Sequence, residues 1–274
     1  MPRLTPLAAA AALSLLASPA ALASPQLLPA DLKTRYLSMN FTVDGQRVQF
    51  SLDKLQYQNL GRKVLERMPL KNKMLQLTNA ELKKDAAGVA KLAAPVKIKN
   101  NDALFMHVFS GKGSPDEIAA VLKLAARFNQ KLGKDWKDKG DLSATLKQFY
   151  WDNIGLDCSG FAGNYARAVG SRYGPETSIL GFAPASKRIK KLADVKPGDV
   201  MVWKDNQHIT TIQGKRADGN YDVVESNGDR IIFGLGKTVW QLKEPDASGL
   251  VKATRIFEGG KKSNPASVYL ASVK

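Results

Sequence analysis

The chain of 274 residues contains one cysteine and two histidines. A lone cysteine excludes any disulfide within the chain, so the fold must rest on its apolar core, which this length can supply. Cys158, His107 and His208 cannot be arranged into a cysteine–histidine cluster with zinc spacing. A glycine-rich phosphate loop is missing too, so no cofactor and no metal are expected. Internal repeats are absent, and beyond the first two dozen residues no apolar run is long enough to span a bilayer. Acidic residues are in deficit: 25 Asp+Glu face 41 Lys+Arg, a formal charge of +16. Such a field concentrates anionic partners at the surface, although solubility alone is the plainer account of it. The lysines are scattered, with no aromatic-interleaved basic platform and no finger spacing, so nucleic acid is not the expected partner.

The N-terminus has the order of a targeting segment. Arg3 is followed by the apolar "LAAAAALSLLASPAALA" and by the small-x-small site Ala21-Leu22-Ala23. Residues 1–23 are therefore expected to be a signal peptide, with a mature start at Ser24 and a charge of +15 once Arg3 is lost. No cysteine follows the cleavage site, which excludes a lipid anchor there. The expected location is periplasmic or secreted. In that setting peptidoglycan or another anionic cell-envelope polymer is the natural partner for a basic surface. The oligomeric state stays open.

Residues 24–112 read as an accessory segment of unknown role. "NFTVDGQRVQF" places Asp44-Gly45 between alternating runs and predicts a hairpin. "SLDKLQYQNLGRKVLERM" has helical spacing, with Gly61 as an interruption. Thr78, with Glu81 three residues on, predicts a helix start, and "AAPVKIKNND" a loop with a short strand. His107, in "ALFMHVFS", reads as a core histidine or a strand residue. A second segment, 113–274, opens with a capping box at Ser114, Pro115 and Glu117. Ile118, Leu122, Ala125 and Phe128 give that helix one apolar face, and Gly133 ends it. After residue 170 the texture changes to short runs divided by Gly, Pro and Asp: "KPGDVMVW", "HITTIQGK", "YDVVESNG", "RIIFG" and "KATRIF". Helices first and strands after predict an α+β fold rather than alternating βαβ units.

Cys158 opens a helical pattern. Phe161, Ala162, Tyr165, Ala166 and Val169 recur at helical spacing, Gly170 ends the run, and Asp157 is placed to cap it. The first turn of a helix is where the dipole favours a reactive thiolate. A small buried hydrophobe is the ordinary reading of a free cysteine. Against it stand the polar or small neighbours Asp157, Ser159 and Gly160, and the oxidation that threatens an idle exported thiol. A thiol nucleophile needs a base, and His208 at the head of "HITTI" can present its ring at a sheet edge. A third polar group should orient that ring. "YDVVESNG" offers Glu225, with Asn227 as the alternate.

These pieces together resemble the NlpC-type papain-like cysteine peptidases, which cleave bacterial cell-wall peptides. "DCSGF" at 157–161, "KPGDVMVW" at 196–203 and "HITTI" at 208–212 carry the resemblance, which covers about 115–257, and their order is more specific than any one of them. It implies helices packed on an antiparallel β-sheet in a papain-like core. It implies Cys158 as nucleophile, His208 as base and Glu225 as the orienting group; a Glu there is similar to the related amidases of the CHAP type. Asp157 and Ser159 are implied as substrate-pocket residues. Tyr150 and Trp151 stand in the lead-in, where the family has a tyrosine before the cysteine, and are implied as further substrate-binding residues. The activity implied is hydrolysis of amide bonds in peptidoglycan stem peptides. The alternatives are a thiol-dependent acyltransferase or lipid thioesterase on the same fold, and a wall-binding protein without catalysis.

Overall fold

The structure is a computed structural model and describes residues 27–57, 62–96, 101–228 and 234–274. The expected signal peptide lies outside the described residues. The described residues open with α1 (Pro29–Leu37), then strands β1 (Ser38–Val43) and β2 (Gln46–Ser51). Asp44 and Gly45 both take positive φ, 46° and 84°, and turn the strands so that Val43 faces Gln46. Helices α2 (Arg62–Leu82), α3 (Ala86–Ala93), α4 (Asn101–Phe109), α5 (Pro115–Arg127), α6 (Asn129–Leu132), α7 (Leu142–Asn153) and α8 (Cys158–Ala168) follow.

The α5 capping box forms as expected. Glu117 N–H donates to Ser114 Oγ at 3.2 Å, and Ser114 N–H donates to Glu117 Oε2 at 2.7 Å. Ile118, Leu122, Ala125 and Phe128 are all buried. Elsewhere tertiary packing overrides the local pattern. The helix expected from Ser51 starts only at Arg62, and Leu52 to Tyr57 run without helix against the rest of the fold. Thr78 is not a cap. It is buried inside α2, and its hydroxyl has no partner among the described residues. The next helix is capped by Asp85, whose Oδ1 accepts from Gly88 N–H at 2.8 Å. The short strand expected within "AAPVKIKNND" falls largely on residues 97–100, outside the described residues, and Asn101 already opens α4.

The second half supplies β3 (Val200–Trp203), β4 (Ile209–Lys215), β5 (Tyr221–Asn227), β6 (Gly234–Leu242), β7 (Leu250–Ile256) and β8 (Ala266–Ala271). All pairings are antiparallel, and β8 pairs back with β3, so the expected sheet closes into a six-stranded barrel. The fold is α+β. Met201, Ile212, Val223, Val251 and Leu270 fill one core among these strands. Ala162 and Ala166 of α8 pack in another with Val200, Val202 and Ile209. By strand alternation these are the opposite faces of β3 and β4, so α8 lies on the outside of the barrel. Small residues on α8 let it approach closely, which brings its N-terminus to the strand that His208 leads.

The division expected at residue 112 does not coincide with a break in packing. Leu32, Tyr36, Val48 and Phe105 share a single core with Ile118, Leu146, Phe161 and Val224. The hydroxyl of Tyr36 donates to the Gly113 carbonyl at 2.9 Å across the same boundary.

Candidate active site

Cys158 is the first residue of α8, and Asp157 is its cap. Asp157 Oδ1 accepts the Gly160 N–H, and its backbone N–H donates to the Gly111 carbonyl at 3.0 Å. The other carboxyl oxygen pairs with Lys112 Nζ at 2.9 Å, and the same ammonium donates to Ser159 Oγ. Burial pushes the Asp157 pKa up, opposed by the Lys112 charge and these hydrogen bonds. Asp157 and Ser159 are both buried and engaged by Lys112, so the structure gives them a role in fixing the helix start.

His208 immediately precedes β4, and its carbonyl accepts from Trp203 N–H at 3.0 Å. Its ring meets the Trp203 indole edge to face at 4.8 Å, and Trp203 in turn meets Trp240 at 5.4 Å. Nε2–H of His208 donates to Glu225 Oε2 at 2.7 Å. The Cys158 thiol lies near enough to the ring to raise its pKa. With Nε2 held by the carboxylate, Nδ1 is the nitrogen left for the thiol. Burial pulls the His208 pKa down, but the interactions with Cys158 and with the Glu225 carboxylate outweigh it and lift the value to about 9.

Glu225 shares a strand face with Tyr221 and Val223, whose side chains belong to the core among the barrel strands. Its side chain is 0% exposed. A carboxylate at such a position is tolerated only if fully hydrogen-bonded. Oε1 accepts from Thr238 Oγ1 at 2.6 Å and from Arg255 Nη2 at 3.1 Å. Oε2 accepts from His208 and from Asn227 Nδ2 at 3.3 Å. Trp240 Nε1 donates to Thr238 Oγ1 at 3.0 Å, which orients that hydroxyl. Burial pushes the Glu225 pKa up, yet His208, Arg255 and Thr238 together leave it below its ordinary value, so the group is ionised. Between the two candidates for orienting the ring, Glu225 makes the contact and Asn227 supports Glu225.

The structure thus brings Cys158, His208 and Glu225 together from three separate elements. Tyr150 does not join them. It is a core residue, 0% exposed, and its hydroxyl donates to the Tyr36 carbonyl at 2.9 Å, so it cannot line a substrate pocket as the resemblance implied. Its neighbour Trp151 is exposed and borders a separate groove of about 640 Å³, with Lys54, Lys139 and Lys147 around it. His107 lies on α4 rather than on a strand. Its Nδ1 pairs with Glu117 at 2.9 Å and its Nε2 with Glu176 at 3.2 Å, and the Glu117 hydrogen bond raises its pKa against burial.

Sequence reasoning missed Lys112, Thr238, Arg255 and Tyr57. Arg255 carried a readable signal, a charge within the strand-like run "KATRIF". Tyr57 carried none, since its place is set by a parallel bridge to Leu156, two residues before the cysteine. Among the described residues no group of three or more His, Cys, Asp or Glu side chains is arranged to hold a metal ion. No helix among them is long and apolar enough to cross a membrane. No family model, curated protein or solved structure matches the chain.

Proposed function

We propose that the chain is an exported cysteine hydrolase that cleaves amide bonds in peptidoglycan stem peptides. The observation that carries this reading is the imidazole of His208, held by a fully buried, ionised Glu225 and near enough to the Cys158 thiol for the two to interact. A nucleophile, a base within hydrogen-bonding reach and a third group orienting the base are the parts that thiol acyl transfer requires. A helix that presents the cysteine against an antiparallel barrel that presents the histidine agrees with a papain-like core.

His208 Nδ1 takes the thiol proton, and the sulfur attacks the amide carbonyl as the thiolate. The new S–C bond forms as the carbonyl π pair moves to oxygen. The free backbone N–H groups at the start of α8 face that charge. When the pair falls back, the C–N bond breaks and the leaving nitrogen takes the proton from His208. Neutral His208 then removes a proton from water, whose oxygen attacks the thioester. Collapse of that second intermediate releases the acid and returns the thiol. Glu225 keeps the ring in one tautomer throughout.

The charge of +16 and the lysine-rimmed groove beside Trp151 support an anionic polymer as the substrate that carries the peptide. The test is digestion of purified peptidoglycan with Cys158→Ala. Complete loss of released fragments with an unchanged fold is expected, and retained cleavage would overturn the reading.

A further inference from the structure

One face of α7 is left to solvent, and its residues recur at helical spacing. Ala144, Lys147, Gln148 and Trp151 fall on it, while Thr145, Leu146, Phe149 and Tyr150 turn inward and are buried. The chain just after β2 forms a second wall beside this face, and the two enclose the groove of about 640 Å³. Lys54 and Lys139 add to its lining, and Asp53 is the only acid there. Among the described residues Lys54, Lys139 and Lys147 form no ion pair. Asp152, the acid of α7, is already engaged by Lys137 at 2.8 Å and by Gln148 Nε2–H at 2.9 Å. Three unpaired ammonium groups around an indole that is 36% exposed make a surface for a ring that carries anionic groups. Both walls lead to the cysteine. From Trp151 the chain leaves α7 at Asn153 and runs on to Cys158, a span of no more than about 20 Å. From Lys54 the other wall continues to Gln56, whose carbonyl accepts from Leu156 N–H at 3.0 Å, and to Tyr57, which bridges Leu156.

We propose that this groove holds the glycan strand of the wall polymer, with a pyranose ring on the Trp151 indole and carboxylates on Lys54, Lys139 and Lys147, while the stem peptide reaches Cys158. The inference rests on the hydrolase reading and names the part of the substrate that the reacting residues do not touch. A pyranose presents a face of C–H bonds that packs on an indole, while its hydroxyls stay in water. A stem of about five extended residues covers about 17 Å, enough to join groove and thiol. Single-stranded nucleic acid is also anionic, but it is held by several aromatic side chains on which successive bases stack. Among the described residues that line the groove, Trp151 is the only aromatic one. Lys54 comes from the segment before residue 112, whose role on this account is to position substrate.

The test uses the full chain carrying Cys158→Ala, titrated with glycan strands freed of their stem peptides, whose lactyl carboxylates are then uncovered. Adding Trp151→Ala is expected to weaken binding by about tenfold. Adding Lys54→Gln, on the opposite wall, should weaken it and flatten its salt dependence. With Cys158 intact, kcat/KM should be higher for a glycan-linked stem than for the free peptide, and Trp151→Ala should reduce that preference by the same factor. Unfolding midpoints are measured alongside. Equal glycan affinity in both variants, or an unchanged preference, would overturn the groove assignment; if Cys158→Ala is inactive, the hydrolase reading then still stands. Tighter binding of an oligothymidylate than of the glycan would overturn it in favour of nucleic acid. If Cys158→Ala keeps cleaving, the hydrolase reading falls. Weaker glycan binding in Trp151→Ala then retains the groove as a glycan site, and unchanged binding removes both.

Discussion

Glu225→Gln separates the charge of the carboxylate from its shape. In the wild type the His208 pKa is lifted from an ordinary 6.5 to about 9 although the ring is buried. That difference corresponds to about 3 kcal/mol in favour of the imidazolium, shared between Glu225 and Cys158. The glutamine amide still fits the space but brings no charge, and burial then works against protonation unopposed on that side. The alkaline limb of the rate profile should fall from near 9 to about 6.5 or lower. At neutral pH kcat should drop by about 10²- to 10⁴-fold, as expected when the group fixing a catalytic tautomer is neutralised. Because the folded-state pKa of His208 is the raised one, the contact stabilises the fold fully below about 6.5. That stabilisation is lost as pH rises through about 9, and the variant should lose this dependence. Arg255, also buried, would lose the charge of the Glu225 carboxylate from among its contacts, so unfolding is measured alongside. Glu225→Asp is the companion: it keeps the charge and shortens the reach, so it should lower kcat while preserving the high alkaline limb. Initial rates on a synthetic stem peptide over the full pH range decide the matter. An alkaline limb that stays near 9 in Glu225→Gln would refute the reasoning.

Two further outcomes follow from charges away from the reacting atoms. Lys112→Met leaves the buried Asp157 carboxylate without its ion pair and should cost about 3–5 kcal/mol in denaturant unfolding; a wild-type midpoint would contradict the pairing as the support of the α8 start. Lys139→Glu with Lys147→Glu should reduce retention on peptidoglycan sacculi at low salt while leaving cleavage of a soluble stem peptide unchanged. Equal retention would show that the Trp151 groove does not hold the polymer.

The parts of the site legible in the sequence are those fixed within a few residues. Asp157, Cys158 and the apolar spacing after them define a capped helix locally, and α5 is written in its Ser114–Glu117 box. Glu225 and Val223 could be placed on one strand face by alternation alone. Long-range pairing set the rest. Tyr57 sits in a stretch whose leucines have helical spacing, and the chain there forms a bridge to Leu156 because Leu52 and Leu55 are taken into the core. Thr78 has the chemistry of a cap but lies in mid-helix, where its turn is buried against neighbouring helices. Closure of the barrel depends on β6, which carries Gly234 and Gly236, and on β8, and neither strand has a clean alternation of apolar and polar residues. Tyr150 beside the cysteine looked available for a ligand, and only the packing of α7 against α1 and β2 consigns it to the interior.

The ion pair between Arg255 and Glu225 has a consequence for how charge moves during a turnover. Count the ionised groups of Cys158, His208, Glu225 and Arg255 along the proposed route. Thiolate with imidazolium, the oxyanion with imidazolium, and the thioester with neutral imidazole all sum to zero. Arg255 makes this so by cancelling the one charge that never changes. The site therefore passes through each state as an internal dipole that shifts and is restored, and no counterion has to enter or leave it for the chemistry to proceed.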